Sequence, residues 1–219
     1  MTRARHSVAF WFVVVALCAA GDAGGQGTGT AGLDSATVAA IAPIIEQARA
    51  TRVPLDLLYA KAREGQALRV PVTRIEAAVR GLADRIQTAN EALAPSATEQ
   101  ELRAGADALK AGVPRETLKE MRRAGKDGSL AVPLGVLTQL VLRGVPVEKA
   151  SVQVVDLLQR GAGPSHFIAL DERVRADVLA GKRPDESLDL RLKGILPNLP
   201  QSATGDAAGL QSAGPKRPR

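Results

Sequence analysis

A Val-Pro pair returns five times along this chain, at Val53-Pro54, Val70-Pro71, Val113-Pro114, Val132-Pro133 and Val145-Pro146. Gly163-Pro164 and Arg183-Pro184 extend the series, and Ala94-Pro95 falls between the second and third pairs. Proline has no N–H to lose at the first helical position, and its fixed φ suits that position, so it starts helices there. Glycine reaches the left-handed conformation that ends them. A Pro-to-Gly interval of roughly ten to fifteen residues therefore reads as one helix. Pro114 to Gly125, Pro133 to Gly144 and Pro146 to Gly161 are such intervals. Successive prolines from Pro54 to Pro184 are 17, 24, 19, 19, 13, 18 and 20 residues apart. Two units thus have the length of a solenoid hairpin, without the strict period of a known repeat class. The pattern predicts an all-α chain, an irregular bundle or short solenoid of tandem helices, each opened by Pro and closed by Gly. No segment has the period-two alternation of a strand.

Residues 1–20 read as a signal peptide. Arg3 and Arg5 give a positive start, Phe10 to Leu17 is a short apolar core, and Ala19-Ala20-Gly21 offers a cleavage site. An uncleaved anchor is the alternative, although the apolar run is short for a bilayer. Cys18, the single cysteine, ends that run and is a candidate lipidation site, with Leu17 in place of the small residue that usually precedes such a cysteine. Its other reading is a small apolar residue discarded with the signal. Neither reading leaves a disulfide, so packing must hold the mature fold. Export predicts a periplasmic or envelope location.

Hydrophobic residues make up 45% of the chain, almost all of them small aliphatics. Once the signal is removed, Tyr59 and Phe167 are the aromatics that remain. The chain is long enough to bury one core, and small aliphatic side chains favour close helix packing. The net charge of +6 is concentrated at the ends. Without Arg3, Arg5, Lys216, Arg217, Arg219, Asp22 and Asp206, 24 basic residues face 21 acidic ones. A surplus of three on a mixed surface, with few aromatics to stack on bases, argues against nucleic acid as a partner.

Residues 21–33 read as a Gly-rich flexible spacer, 34–196 as the helical domain and 197–219 as a disordered tail. Asp34 or Ser35 can cap a first helix ending near Ala50, in which Pro43 introduces a kink or a restart. Thr98 with Glu101 has the spacing of a capping box. The longest helix is expected from Pro71 to about Leu93. Its apolar residues Val72, Ile75, Val79, Leu82, Ile86, Ala89 and Leu93 alternate by three and four, so this stripe should be the most buried surface, with Arg85 facing water. Glu76–Arg80 and Arg80–Asp84 have i,i+4 spacing on its wet side.

The sequence supplies little chemistry. Gly27 to Gly32 matches GxGxxG, but no strand precedes it. His166 is the only histidine outside the signal, and its place at a helix start suits capping. Asp171-Glu172 and Asp185-Glu186 are helix neighbours that point apart, whereas paired-carboxylate catalysis needs convergence across a cleft. No metalloprotease, P-loop or nucleophile-elbow string occurs. Arg115, Lys119, Arg122, Arg123 and Lys126 form a basic stretch diluted by Glu116, Glu120 and Asp127, which reads as a solvated face rather than a phosphate site. Tyr59 and Phe167 occupy core positions on their helices. We therefore expect no catalytic residue, no cofactor and no metal.

The strings LLYAKAREG, RIEAAVRGLADRI, LKAGVP and VLRGVP, with Ala48 to Pro54, resemble those of uncharacterised secreted helical proteins of GC-rich bacteria. The resemblance spans about residues 41–182. It implies a secreted α-helical domain and carries over no functional residue. The leading expectation is an exported helical-repeat interaction or scaffolding module that binds a protein partner in the envelope. The second is a lipid-anchored structural envelope protein held through Cys18. The third is an enzyme, which would need a deep pocket gathering Asp, Glu, Arg and His166.

Overall fold

The computed structural model describes residues 29–125 and 128–199. Residues 1–28, which include Cys18, with Lys126, Asp127 and residues 200–219, lie outside them. Among the described residues the fold is all-α: α1 (Ser35–Ala50), α2 (Leu55–Ala67), α3 (Val72–Ala92), α4 (Glu99–Lys110), α5 (Arg115–Ala124), α6 (Ala131–Leu142), α7 (Val147–Gln159), α8 (Pro164–Leu179) and α9 (Pro184–Ile195), then a 3-10 turn (Leu196–Asn198). No helix among them is long and apolar enough to cross a membrane.

Six of the turns share one geometry. At 52, 69, 112, 144, 161 and 181 the residue after the helix cap has positive φ, and glycine holds four of these places. In each turn the next residue's N–H returns to the carbonyl five positions back, as Val53 does to Ala48 and Val145 to Leu140, at 2.9–3.1 Å. The positive-φ residue itself donates three positions back. This double bond satisfies carbonyls that a helix end otherwise leaves open. Val53, Val113, Val145 and Ala162 then turn into the core. Arg52 and Arg69 adopt φ of 58° and 54°, a conformation that glycine adopts more readily.

The prolines sit differently from the simple expectation. Pro54, Pro71, Pro114 and Pro146 are N-caps, one residue before the helix proper, with extended ψ of 111–147°. Only Pro164 and Pro184 take the first helical position. The reason is the preceding turn: its Val must be extended to reach the core, and proline pushes the residue before it toward that region. Pro133 lies inside the first turn of α6, where its missing N–H has no helical partner to lose. Pro95 opens nothing; it follows a cis peptide bond, and α4 is capped instead by Thr98. Pro43 is accommodated within an unbroken α1.

Helices pack on their first and second neighbours. α4 lies on α6 and α6 on α8, while α5 lies on α7; α3 bridges α1 and α2 to α4 and α5. The small residues of the sequence permit this closeness. A Cβ placed at Gly105 of α4 would stand 3.0 Å from Ala89 Cβ of α3 and 3.3 Å from Leu93 Cδ1. One continuous core results, with Phe167, Leu58, Ile86, Leu118 and Leu137 fully buried.

Both edges of the domain extend beyond the expected limits. Residues 29–33 are not a free spacer: Arg63 Nη1 donates to the Gly29 carbonyl at 2.9 Å and Gln66 Nε2 to that of Gly32 at 3.0 Å. A side chain at Gly29 would overlap the Tyr59 ring, so Tyr59, which packs against the core, is also covered by the chain ahead of α1. Leu199, placed in the tail by composition, is buried with the core.

The α3 stripe is buried at Ile75, Val79, Ile86, Ala89 and Leu93, but Val72 and Leu82 are only partly covered. Arg85 does not face water freely; it is half-buried. Heptad spacing gives a helix a face, but the neighbours determine how far that face is covered, and α2 and α4 leave Leu82 partly open to the groove between them. Ile86→Ala is therefore expected to lower stability by about 2–5 kcal/mol. Leu82→Ala should lower it by only about 1 kcal/mol. Urea melts of the two variants check this order.

Candidate functional site

Two buried carboxylates tie the helices together. Glu101 closes the capping box with Thr98, accepting from its N–H at 2.8 Å and its hydroxyl at 3.1 Å. Its other oxygen accepts from Arg122 Nη2 at 2.9 Å and from the Leu130 N–H at 2.8 Å. One side chain, 2% exposed, thus joins α4 to α5 and to the start of α6. Arg122 also reaches the Leu93 carbonyl of α3 at 3.1 Å. Asp177 of α8 accepts twice from Arg191 of α9, both at 2.7 Å, and from Lys182 at 2.9 Å. Lys182 and Asp177 stand where the other turns pair the inward Val with an apolar residue, so an ion pair replaces the hydrophobic contact at this turn. Arg143 grips Asp171 with both guanidinium nitrogens, joining α6 to α8, and Lys149 bonds Asp189 at 2.7 Å, joining α7 to α9.

The two buried carboxylates are fully engaged by these partners, and both respond to pH. Burial opposes ionisation of Glu101 and is the largest single influence on it. The N–H bonds of Leu130 and Thr98, with those of Arg122 and the Thr98 hydroxyl, together outweigh it and hold the carboxyl below 4.5. Asp177 is held well below 3.8, first by Arg191 and then by Lys182. A depressed carboxyl stabilises the fold above its unfolded value, and that contribution is lost as pH falls through the folded value. Stability is therefore expected to be insensitive to these groups above about pH 5 and to fall below it. A Glu101→Gln/Asp177→Asn variant should start lower at pH 7 and show a shallower decline to pH 3 in urea midpoints.

The concave feature richest in chemistry lies between α2, α3 and α4. It is a groove of about 210 Å³. Leu57, Ala60 and Leu82 supply its apolar lining; Lys61, Arg85, Arg103 and Lys110 supply cations; Glu64 and Asp107 supply anions. Lys61 is engaged by Glu64 at 2.8 Å, and that bond, with the nearby Lys61 charge, holds Glu64 below its ordinary value. Among the described residues Arg103 and Lys110 have no ion-pair partner, and the buried Nε of Arg85 has no acceptor. Two wider hollows, about 340 and 480 Å³, border α7 and carry fewer charged groups.

The exposed surface carries a second feature. Apart from Leu68, the exposed large apolar residues among those described all lie on α6 to α9: Leu142, Val152, Ile168, Leu179 and Leu190. Leu142 and Leu179 are the last residues of α6 and α8. Gly144, just past α6, lies beside Pro184, the first residue of α9.

The other residues considered from sequence have structural partners. His166 Nδ1 accepts from the Gly163 N–H at 3.2 Å and caps α8. Asp171 goes to Arg143, while Asp185 and Glu186 both go to Arg183. The basic stretch of α5 is dispersed by pairing: Arg115 with Glu91, Lys119 with Glu116, Arg122 with Glu101. Arg80 bonds Glu76 and, among the described residues, does not pair with Asp84. Phe167 is in the core. Cys18 lies outside the described residues, and among those described no group of His, Cys, Asp and Glu has the arrangement of a metal site. The groove was not legible in the sequence, because its charges come from three helices and none forms a motif. Comparison with family models, with curated proteins and with solved structures finds no match.

Proposed function

We propose that this chain is an exported helical-repeat module of the cell envelope that works by binding a protein partner, as an interaction or scaffolding element. The packing of α4 on α6, α6 on α8 and α5 on α7 carries this reading, since stacked helix pairs build an extended surface from local contacts. The repeat reading is supported by register. α4, α6 and α8 begin at 99, 131 and 164, that is, 32 and 33 residues apart. Their closing glycines, 112, 144 and 181, are 32 and 37 apart, and α8 is four residues longer than α4 and α6, one helical turn that accounts for the difference. Leu142 and Leu179 occupy matching places in this frame, and paired exposed apolar residues favour contact with another protein. The envelope location rests on the positive, apolar and small-residue segments of residues 1–20.

Two measurements test this reading. N-terminal sequencing of the purified protein is expected to start between about residues 19 and 27; Met1 would overturn export. Formaldehyde cross-linking in living cells is expected to give an adduct with another protein in the envelope fraction, and recovery of uncross-linked monomer alone would overturn partner binding. Radioactive palmitate labelling, abolished by Cys18→Ser, would favour the lipid-anchored alternative.

A further inference from the structure

We propose that the groove between α2, α3 and α4 binds a small organic carboxylate with an apolar body. The carboxylate meets Arg85, Arg103 and Lys110, and the body rests on Leu57 and Leu82. This site is separate from the partner-binding reading and stands without it.

Charge sets the sign of the ligand. Four cations and two anions line the groove, and one of each is spent in the Lys61–Glu64 pair. Arg85, Arg103 and Lys110 still outnumber the anions, although the Lys110 charge also acts on Glu64, and such a cluster between low-dielectric walls attracts anions. Arg85 sets the geometry. Its guanidinium lines the groove, and that planar group takes carboxylates through two parallel bonds. Leu82 sets the body. Its spacing assigns it to the buried α3 stripe, yet it stays half-covered at the groove, where a wholly polar anion would leave it wet. Volume sets the size: about 210 Å³ is the space of roughly seven waters, which suits a short aryl or alkyl acid.

The test is an NMR titration of the ¹⁵N-labelled full chain with 3-phenylpropanoate, 3-phenylpropanol and inorganic phosphate. Saturable shifts with the carboxylate are expected at amides of 57–64, 82–85 and 103–110. The alcohol and phosphate should each bind about tenfold more weakly. Arg85→Gln with Arg103→Gln should weaken the carboxylate about tenfold. Arg103→Gln and Lys110→Gln alone alter exposed side chains, so they keep the test valid if the Arg85 variant fails to fold; each should weaken binding about twofold. Equal binding of the alcohol would reduce the site to an apolar slot, and equal binding of phosphate would reduce it to a generic anion patch. Either result overturns the proposal, as do shifts confined to other helices, absence of saturation, or unchanged affinity in the variants.

Discussion

Glu101→Ala is expected to destabilise the protein by about 3–5 kcal/mol, the usual range for breaking a buried ion pair from one side. The loss has several sources. The Arg122 guanidinium keeps its place against the Leu93 carbonyl but loses its counter-charge. The Leu130 N–H loses its acceptor in a position that is fully buried. The Thr98 N–H loses the return half of the capping box. A buried donor without an acceptor costs about 1–3 kcal/mol, so the Leu130 N–H, the stranded cation and the lost half of the capping box together reach the stated range. Glu101→Gln retains one carbonyl oxygen and should fall between wild type and Ala. Urea denaturation monitored by circular dichroism measures both, and a loss below about 1 kcal/mol for Ala would show that α4, α5 and α6 hold together without this carboxylate.

Phe167→Ala is expected to destabilise by a similar amount, about 3–5 kcal/mol, through a different cause. Phe167 is the largest of the fully buried side chains and lies in the first turn of α8. The domain has little other aromatic volume, and its surrounding small aliphatics cannot swing in to fill the void. The destabilisation should leave the spectrum of the folded state unchanged and move only the urea midpoint. A loss under about 1 kcal/mol would mean that α8 collapses onto α6 without a cavity.

These two sites differ in how far they can be read in advance. Phe167 falls on an apolar face at helical spacing, and its burial follows from that spacing. Thr98 and Glu101 read as a capping box because the partners are three residues apart, and the box forms. That Glu101 also holds Arg122 and Leu130 is not legible, since they are 21 and 29 residues away and meet it only after α5 and α6 have packed. Asp177 and Arg191 are hidden for the same reason, being 14 residues apart on different helices. Lys182 misleads in another way. It stands where other turns place a Val, and only its bond to Asp177 shows that the turn keeps its geometry with an ion pair instead.

The long helix shows where periodicity runs out. Ile75, Val79 and Ile86 are buried as the stripe requires, but Leu82 and Arg85 together line a groove. A three-four alternation gives the direction of a face and carries no information about where two neighbours diverge. The exposed leucines behave likewise: Leu142 reads as part of an apolar helix, and its exposure depends on where α6 ends relative to α8.

The stacked helices are proposed to bind a protein partner through Leu142, 66% exposed, and Leu179, 81% exposed. The most direct test is a quantitative pull-down from envelope extract with the wild-type chain and with a Leu142→Asp/Leu179→Asp variant. Both substitutions lie on the surface, and the variant should melt within about 0.5 kcal/mol of wild type. The account predicts at least one envelope protein that the wild type enriches and the variant recovers about tenfold less well, as expected when a buried charge is forced into an apolar contact. Equal recovery of every enriched protein by both chains, or no enrichment by either, would contradict it.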